Sequence, residues 1–222
     1  MKNIWPWEHA RIRLNGQDGS CAGTDYVNAS LIKFEVGDEK RVSPRSYIAT
    51  QGPLASTFDD FWSVVCQQDV GLIVMLTKRH EAGREKCGDY LRSGRYGEIV
   101  ISIEPEEGIR KIVITTIRLS RVTRPELPAR RIKHVQYRNW PDFDVPPAAD
   151  ELLELVEKSL KSVENLMGNG SGPVIVHCSA GVGRTGSFIA VDVMTEVLKA
   201  MYIEEDGGVS ETLVVRKGRK WM

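Results

Sequence analysis

Runs rich in valine and isoleucine dominate the first two thirds of the chain, and several of them alternate apolar with polar residues. This alternation predicts β-strands, because successive side chains of a strand point to opposite faces of a sheet. The predicted strands are residues 46–50, 70–76, 98–104, 110–120, 131–137 and 173–178. Only a short Glu/Gly stretch separates the third of these from the fourth, which predicts that the two pair antiparallel.

Three other segments repeat apolar residues every three or four positions, which is the spacing of one face of an α-helix. The predicted helices are residues 56–68, 150–167 and about 185–201. Ser56 is the predicted cap of the first helix and Asp150 that of the second, which Gly168 follows. The residues expected to face the core from the third helix are Phe188, Val191, Met194, Leu198 and Met201.

The order of these elements predicts the fold class. Strands are numerous before residue 140 and helices dominate after it, with no repeat and no long polar linker. Hydrophobic residues make up 41% of the chain, which is enough for a sizeable core. We therefore expect one α/β domain with a mixed sheet.

Charge and cysteine content narrow the class of protein. Thirty basic and thirty acidic residues balance, which gives no support for a nucleic-acid-binding protein. The four cysteines form no C-x-x-C pair, which argues against a zinc cluster or a disulfide framework and favours a reducing compartment. The sequence shows neither the apolar core of a signal peptide nor an apolar run of membrane-spanning length. These features predict a cytoplasmic protein without a membrane partner.

The segment VIVHCSAGVGRTG, residues 174–186, has two interpretations. Gly181, Gly183 and Gly186 form G-x-G-x-x-G, which is typical of a dinucleotide-binding loop between a strand and a helix. Such a site normally begins a βαβ unit, whereas residues 187–222 are mostly helical in pattern and contain no convincing strand. We therefore favour the second interpretation, in which the loop holds the phosphate of a substrate.

The polar residues of this segment suit an attack on phosphorus. A loop that opens a helix points backbone N–H groups at an anion, and glycines allow it to wrap tightly. Arg184 adds a planar guanidinium that can bind two phosphoryl oxygens, and Cys178 lies at the floor of this positive hollow as a thiolate nucleophile. The predicted anion-binding residues are Ser179, Ala180, Gly181, Val182, Gly183 and Arg184. The other cysteines, Cys21, Cys66 and Cys87, are interpreted as small core residues.

The decapeptide HCSAGVGRTG resembles the signature loop of the classical protein tyrosine phosphatases, and the resemblance is to the non-receptor-like members of that family. Six further segments resemble motifs of that family in the family's order: DYVNAS (25–30), YIATQGPL (47–54), DDFW (59–62), IVMLT (73–77), EKCGDY (85–90) and WPDFDVP (140–146). The resemblance implies a phosphatase catalytic domain over 1–222, with a highly twisted mixed sheet flanked by helices and no cofactor. It implies hydrolysis of phosphotyrosine in proteins through a phosphocysteine at Cys178.

Expulsion of a phenolate requires a proton, and hence a carboxylic acid on a segment that can close over the substrate. The segment RNWPDFDVPP holds two candidates, Asp142 and Asp144, beside the large Trp140 and between stiffening prolines. The resemblance implies that Asp142 is the general acid and then the base that activates water. Asp144 falls where the family usually has glycine.

The resemblance assigns roles to three residues around the loop. Thr185 matches a hydroxyl that assists breakdown of the covalent intermediate. His177 matches a histidine that hydrogen-bonds the loop backbone and helps to activate the thiol, and Tyr90 resembles the partner of this histidine.

Three further assignments lie elsewhere in the sequence. Glu81 matches the carboxylate that orients the loop arginine, and Lys86 matches the lysine that meets the closed acid loop. Without the family, both would be read as solvated surface charges. Asn3 matches a residue that hydrogen-bonds the backbone of the substrate.

Some positions depart from the family pattern. Met1 aligns with a tyrosine that forms a wall of the substrate pocket, and Leu91 stands where the family usually has tryptophan. The segment ETLVVRKGRKWM (211–222) resembles the family's penultimate helix, so we expect the following loop, with its water-positioning glutamine, to be missing. Such a domain should hydrolyse its phosphocysteine slowly.

Two alternatives remain open. One is a phosphotyrosine-binding module with little or no turnover, favoured by the two missing terminal elements and opposed by the intact Cys178, Arg184 and Asp142. The other is a phosphatase that also acts on phosphoserine and phosphothreonine, against which the DYVNAS and QGPL segments count. The four histidines show no ligand spacing, so no metal site is expected. We expect a monomer whose partner is a phosphotyrosine-containing protein.

Overall fold

The computed structural model describes residues 4–15, 25–36, 41–42, 45–104, 107–109, 111–141, 146, 148–164 and 172–206. Its strands are β1 (Arg11–Arg13), β2 (Tyr26–Ile32), β3 (Glu35–Val36), β4 (Arg41–Val42), β5 (Tyr47–Thr50), β6 (Leu72–Met75), β7 (His80–Glu81), β8 (Arg84–Glu85), β9 (Gly94–Tyr96), β10 (Ile99–Ile103), β11 (Glu107–Ile109), β12 (Ile112–Arg121), β13 (Arg130–Tyr137) and β14 (Val174–His177). Its helices are α1 (Phe58–Gln67), α2 (Ala149–Glu164) and α3 (Gly183–Asp206), with a 3-10 helix at Ala55–Thr57.

Ten of the strands form one mixed sheet. The strand order is β1-β2-β5-β14-β6-β13-β12-β10-β9, and β11 pairs with β12 off this path. β5, β14, β6 and β13 run parallel at its centre, and the outer pairs are antiparallel. Parallel strands are normally covered on both faces, and every residue of β6 and β14 is buried.

The two faces of the sheet carry separate apolar clusters, because side chains along a strand alternate between them. Ile175 of β14 belongs to the cluster that contains Phe61 and Trp62 of α1. Its neighbour Val176 belongs to the other cluster, with residues of α2 and α3 such as Phe188. The chain is therefore a twisted α/β sheet with α1 on one face and α2 and α3 on the other, as the sequence predicts.

Polar contacts also fix α3 against the sheet. The Tyr47 hydroxyl of β5 donates to Asp192 Oδ2 at 2.8 Å, and Arg45 Nη2 donates to Asp192 Oδ1 at 3.2 Å. Burial raises the pKa of the Asp192 carboxyl, against the opposing effect of the Arg45 charge. These contacts hold α3 in place so that its N-terminus meets the carboxyl end of β14.

All six predicted strands are present, and the expected antiparallel pair is β10 with β12, where Ile99 lies opposite Arg121. The strands that were not predicted are β1, β2, β3, β4, β7, β8, β9 and β11. They are short or only partly buried, so their apolar pattern is weak.

The helix predictions require two corrections. Ser56 does not cap α1: it lies in the 3-10 turn, and Thr57 is the cap, with its Oγ1 bonded to the backbone of Leu54. Asp150 lies within the first turn of α2, one residue after the helix begins. Gly168 lies outside the described residues.

The expectation for the core face of α3 was wrong at two positions. Phe188 is buried, but the side chains of Met194 and Leu198 are 58% and 49% exposed. The other described residues do not enclose these two side chains, so their apolar spacing does not place them in the core. The side chain of Met201 lies outside the described part of the structure. No helix among the described residues combines the length and apolarity required to cross a lipid bilayer.

Candidate active site

The loop that holds Cys178 follows β14, whose two neighbours in the sheet, β5 and β6, both run parallel to it. His177, the last residue of β14, is in register with Thr50 of β5 and Met75 of β6. The crevice at the carboxyl ends of parallel strands is where open α/β sheets bind ligands. Leu76 N–H donates to His177 O at 2.9 Å, and Gly52 N–H donates to Ser179 O at 3.0 Å. The loop is thus tied to both neighbouring strands before it enters α3.

Two glycines allow the close approach of this loop to its surroundings. Gly181 has φ +76°, and a Cβ there would lie 2.4 Å from the carbonyl oxygen of Thr50. A Cβ on Gly52 would lie 2.7 Å from the carbonyl oxygen of Cys178. Any side chain at either position would therefore displace the loop.

The predicted anion-binding residues form a continuous turn at the N-terminus of α3. Ser179, Ala180 and Gly181 are partly buried, whereas Val182 and Gly183 are exposed. Gly186 N–H donates to Val182 O at 2.7 Å, which starts the helical hydrogen bonding. The first N–H groups of a helix have no intrahelical acceptor and attract anions.

Cys178 and Thr185 lie at the base of this turn. The Cys178 side chain is 5% exposed, so it lies just beneath the surface. Thr185 is fully buried, and its Oγ1 has no hydrogen-bond partner among the described residues. A buried hydroxyl in that state is available to a group that enters the loop.

Glu81 fixes the position of the Arg184 guanidinium, although 103 residues separate them. Arg184 Nη1 and Nη2 donate to the two carboxylate oxygens of Glu81, each at 2.8 Å, and Nη1 also donates to Leu76 O at 3.1 Å. Burial opposes ionisation of Glu81, but the hydrogen bonds and charge of Arg184 outweigh it and lower the pKa of the carboxyl. This paired, bidentate geometry is the most directional that an arginine can make.

Behind the loop, three buried aromatic rings form a hydrogen-bonded line. The Tyr90 hydroxyl lies 2.6 Å from His177 Nε2 and 2.8 Å from His134 Nε2, and His177 Nδ1 lies 3.2 Å from Cys178 O. Burial lowers the pKa of His177 to about 4, despite its bond to the backbone of Cys178. Burial, with the neighbouring His177 and Arg138, lowers the pKa of His134 to about 3. Both rings are therefore neutral near pH 7.

Two other predicted residues lie on the segments that flank the loop. Trp140 is buried, with its ring edge-on to Tyr137, at the start of the acid segment. Lys86 is partly buried, and its backbone N–H donates to Arg79 O at 2.7 Å. Asp142, Asp144, Asn3 and Met1 lie outside the described residues. No cluster of three or more metal-ligating side chains occurs within the part of the chain that the structure describes.

Sequence reasoning missed His134 and Gly52. His134 stands between Ile132 and Gln136 on one face of β13, so a buried polar residue on an apolar strand was the available signal. Gly52 lies in the YIATQGPL segment that resembles a family motif, but periodicity gave no signal for its close packing, because the atoms that a Cβ there would meet come from distant segments.

Comparison with known proteins places this arrangement in a family. The family model described as protein-tyrosine phosphatase matches residues 1–220. Among curated proteins, the chain is 42% identical to a tyrosine-protein phosphatase Lar-like of Caenorhabditis elegans, over 89% of this chain and 8% of the relative. It is 40% identical to tyrosine-protein phosphatase non-receptor type 7 of Mus musculus, over 90% of this chain and 52% of the relative. It is also 37% identical to tyrosine-protein phosphatase non-receptor type 12 of Homo sapiens, over 94% of this chain and 25% of the relative.

The chain thus spans between 8% and 52% of the length of these three relatives. The family match covers nearly the whole of it, including the strand, loop and helix that surround Cys178. This chain belongs to the protein-tyrosine phosphatase family.

Proposed function

We propose that this chain hydrolyses phosphotyrosine in proteins through a phosphocysteine at Cys178. The observation that carries the proposal is the bidentate ion pair of Arg184 with Glu81, which holds a guanidinium beside the loop of Cys178. A rigid guanidinium next to a helix N-terminus matches the geometry and charge of a phosphoryl group. The family match over residues 1–220 supports the same activity.

In the first step, the Cys178 thiolate attacks phosphorus, so that an S–P bond forms as the P–O bond to the tyrosine breaks. The proposed general acid Asp142 gives its proton to the leaving phenolate oxygen. Arg184 and the loop N–H groups bind the equatorial oxygens, where charge is greatest in the transition state.

In the second step, Asp142 takes a proton from water, and the hydroxyl oxygen attacks phosphorus. The S–P bond breaks, inorganic phosphate leaves, and Cys178 returns as the thiolate. The proposed role of Thr185 is to donate its hydroxyl hydrogen toward the departing sulfur. Its buried hydroxyl, which has no partner among the described residues, supports this role.

The remaining site residues act by position. We propose that Glu81 orients Arg184, that Lys86 meets the closed acid segment, which Trp140 anchors, and that Asn3 binds the backbone of the substrate. Arg184 and Glu81 are supported by their contacts. Asn3 rests on sequence resemblance alone.

Burst-phase kinetics on an aryl phosphate tests the proposal and separates an enzyme from a binding module. We expect steady release of phosphate that inorganic vanadate inhibits and that Cys178→Ser abolishes. Asp142→Ala should slow phenolate release by at least about a hundredfold, because the acid contribution is about 10²–10⁴-fold. One rapid equivalent of product without further turnover would instead identify a phosphotyrosine trap, and wild-type turnover by Cys178→Ser would end the proposal.

The proposal also covers the substrate class, the cellular location and the oligomeric state of this chain. We propose a cytoplasmic monomer that acts on phosphotyrosine proteins, supported by the non-receptor types among its relatives, although receptor types also match. Rates on matched phosphotyrosine and phosphothreonine peptides would test the substrate class. Light scattering on a sizing column would test the monomer.

A further inference from the structure

The three buried rings behind the loop define the direction of a hydrogen-bond chain. A backbone carbonyl only accepts hydrogen bonds, so the 3.2 Å contact of His177 Nδ1 with Cys178 O requires a hydrogen on Nδ1. The neutral His177 ring then has a bare Nε2. Tyr90 must therefore donate its hydroxyl hydrogen to His177 Nε2, at 2.6 Å.

The same logic fixes the tautomer of His134. Because the Tyr90 hydroxyl hydrogen points to His177, its oxygen can only accept from His134, whose Nε2 lies 2.8 Å away. His134 Nε2 must then carry the ring hydrogen, and its Nδ1 is bare. The opposite direction would leave an N–H on Nδ1, which is buried and has no partner among the described residues. A buried donor without an acceptor is strongly disfavoured.

We infer that His134 is a positioning residue for the anion-binding loop, which it reaches through Tyr90 and His177. Its N–H occupies the Tyr90 oxygen on one side, so the hydroxyl hydrogen goes to His177 Nε2 at 2.6 Å, which is a stronger and nearer acceptor than Met75 Sδ at 3.9 Å. His177 in turn holds the Cys178 carbonyl, and thus the first peptide of the loop, in one orientation. The inference rests on the proposed function, because the loop matters only if it holds a phosphoryl group.

Each contact in the chain is short and shielded from water. His134, Tyr90 and His177 are each 1% exposed or less, so no solvent competes for these bonds. Bonds in such chains polarise one another, so the loss of one member weakens the others. His134 therefore affects the loop of Cys178 although it does not touch it, because Tyr90 and His177 connect the two.

The test uses the whole chain with His134→Gln and His134→Asn as a matched pair. The two amides have the same chemistry, but only glutamine has its N–H near the position of the histidine Nε2. Calorimetry with inorganic phosphate measures the state of the loop without turnover. We expect His134→Asn to weaken phosphate binding by roughly tenfold, the usual effect of one buried hydrogen bond, and His134→Gln to recover it within about threefold.

Tyr90→Phe provides the second arm, because it removes the hydroxyl through which His134 acts. We expect His134→Asn to have no further effect on phosphate binding in that background, as coupled residues are not additive. Equal losses for the two amides, or an additive loss with Tyr90→Phe, would show that His134 only fills space. Ile132→Val, two residues earlier on the same strand, is the control for altered core packing.

Nitrogen NMR of the imidazole rings reads the tautomers without kinetics or ligand. We expect hydrogen on Nδ1 of His177 and on Nε2 of His134, and the reverse on either ring overturns the inference. If the tautomers and the phosphate effects hold but an aryl phosphate is not turned over, the His134 inference stands and the proposed enzyme fails. If the wild-type chain binds no phosphate, both fail.

Discussion

Cys178 and Cys87 are two buried cysteines that both pack closely against Gly52. A Cβ on Gly52 would be 2.7 Å from the carbonyl oxygen of Cys178 and 3.0 Å from the Cβ of Cys87. Their surroundings nevertheless differ. The Cys87 thiol faces two backbone carbonyls, Pro53 O at 3.7 Å and Gly88 O at 3.4 Å, whereas Cys178 begins a loop that opens a helix.

The difference shows that burial alone does not determine what a cysteine can do. Burial raises the pKa of the Cys87 thiol to about 12, and Glu85 and Asp89 add to this while Arg79 opposes it. Carbonyl acceptors and nearby carboxylates all favour the neutral thiol. Cys178 instead has a helix N-terminus and Arg184 as neighbours in its loop, which is the setting of nucleophilic cysteines.

The largest predicted difference between the two thiols is their rate of alkylation. In the native chain, we expect iodoacetamide to modify Cys178 at least about a thousandfold faster than Cys87, because Cys87 is fully buried and reacts only when the core opens. Mass spectrometry of tryptic peptides measures both rates in one sample. Inorganic phosphate should protect Cys178 alone, and concentrated guanidinium should abolish the difference. Similar native rates would contradict the comparison.

The next prediction concerns the arginine beside each thiol. Arg184→Lys keeps the charge but removes the planar fork that pairs with Glu81, so we expect kcat/KM on an aryl phosphate to fall by about a hundredfold. The control is Arg79→Lys, beside Cys87, which pairs with Asp89 at the surface and should change kcat/KM by less than about threefold. Equal effects would mean that the loop does not use the guanidinium.

Comparison of Gly181 with Gly183 tests the backbone that encloses Cys178. Gly181→Ala places a Cβ against Thr50 O at a positive φ, so we expect the free energy of unfolding to fall by about 1–3 kcal/mol. Gly183→Ala meets no atom within 4 Å and lies at the start of α3, so it should be nearly neutral. Denaturant unfolding measures both variants. A neutral Gly181→Ala would show that the loop can relax around a side chain.

The loop of Cys178 is predictable from the sequence because its parts are contiguous. A buried strand, glycines and a helix start occur within residues 174–186, so short-range pattern alone predicts the strand, the tight loop and the helix start that surround Cys178. The pairing of Arg184 with Glu81 has no such signal, since 103 residues separate them and only the family resemblance connects them.

Other features depend on tertiary contacts that periodicity does not specify. Met194 and Leu198 have the spacing of a core face, but spacing does not say how far along a helix its apolar face is covered. His134 meets Tyr90 and His177 from a different strand and loop, so its role follows only from the distances between three rings.

The smallest predicted effect is the response of Cys87 to alkaline pH. Its folded pKa of about 12 lies above its ordinary value of 9.0. The contribution of the neutral thiol to the free energy of unfolding is therefore fully present below about pH 9. Above this pH the unfolded chain loses the thiol proton while the folded chain keeps it. The free energy of unfolding therefore falls by up to about 1.4 kcal/mol per pH unit from this group alone.

Cys87→Ser isolates this contribution, because a serine hydroxyl does not ionise in that range and can still donate to the facing carbonyls. We expect the stability of the wild type relative to the variant, from denaturant unfolding, to decrease between about pH 8 and about pH 10. Tyrosines and lysines titrate equally in both chains, so the difference removes their effect. A constant difference would mean that the Cys87 thiol ionises as readily in the fold as in the unfolded chain, and that its burial beside backbone carbonyls and carboxylates does not keep it neutral.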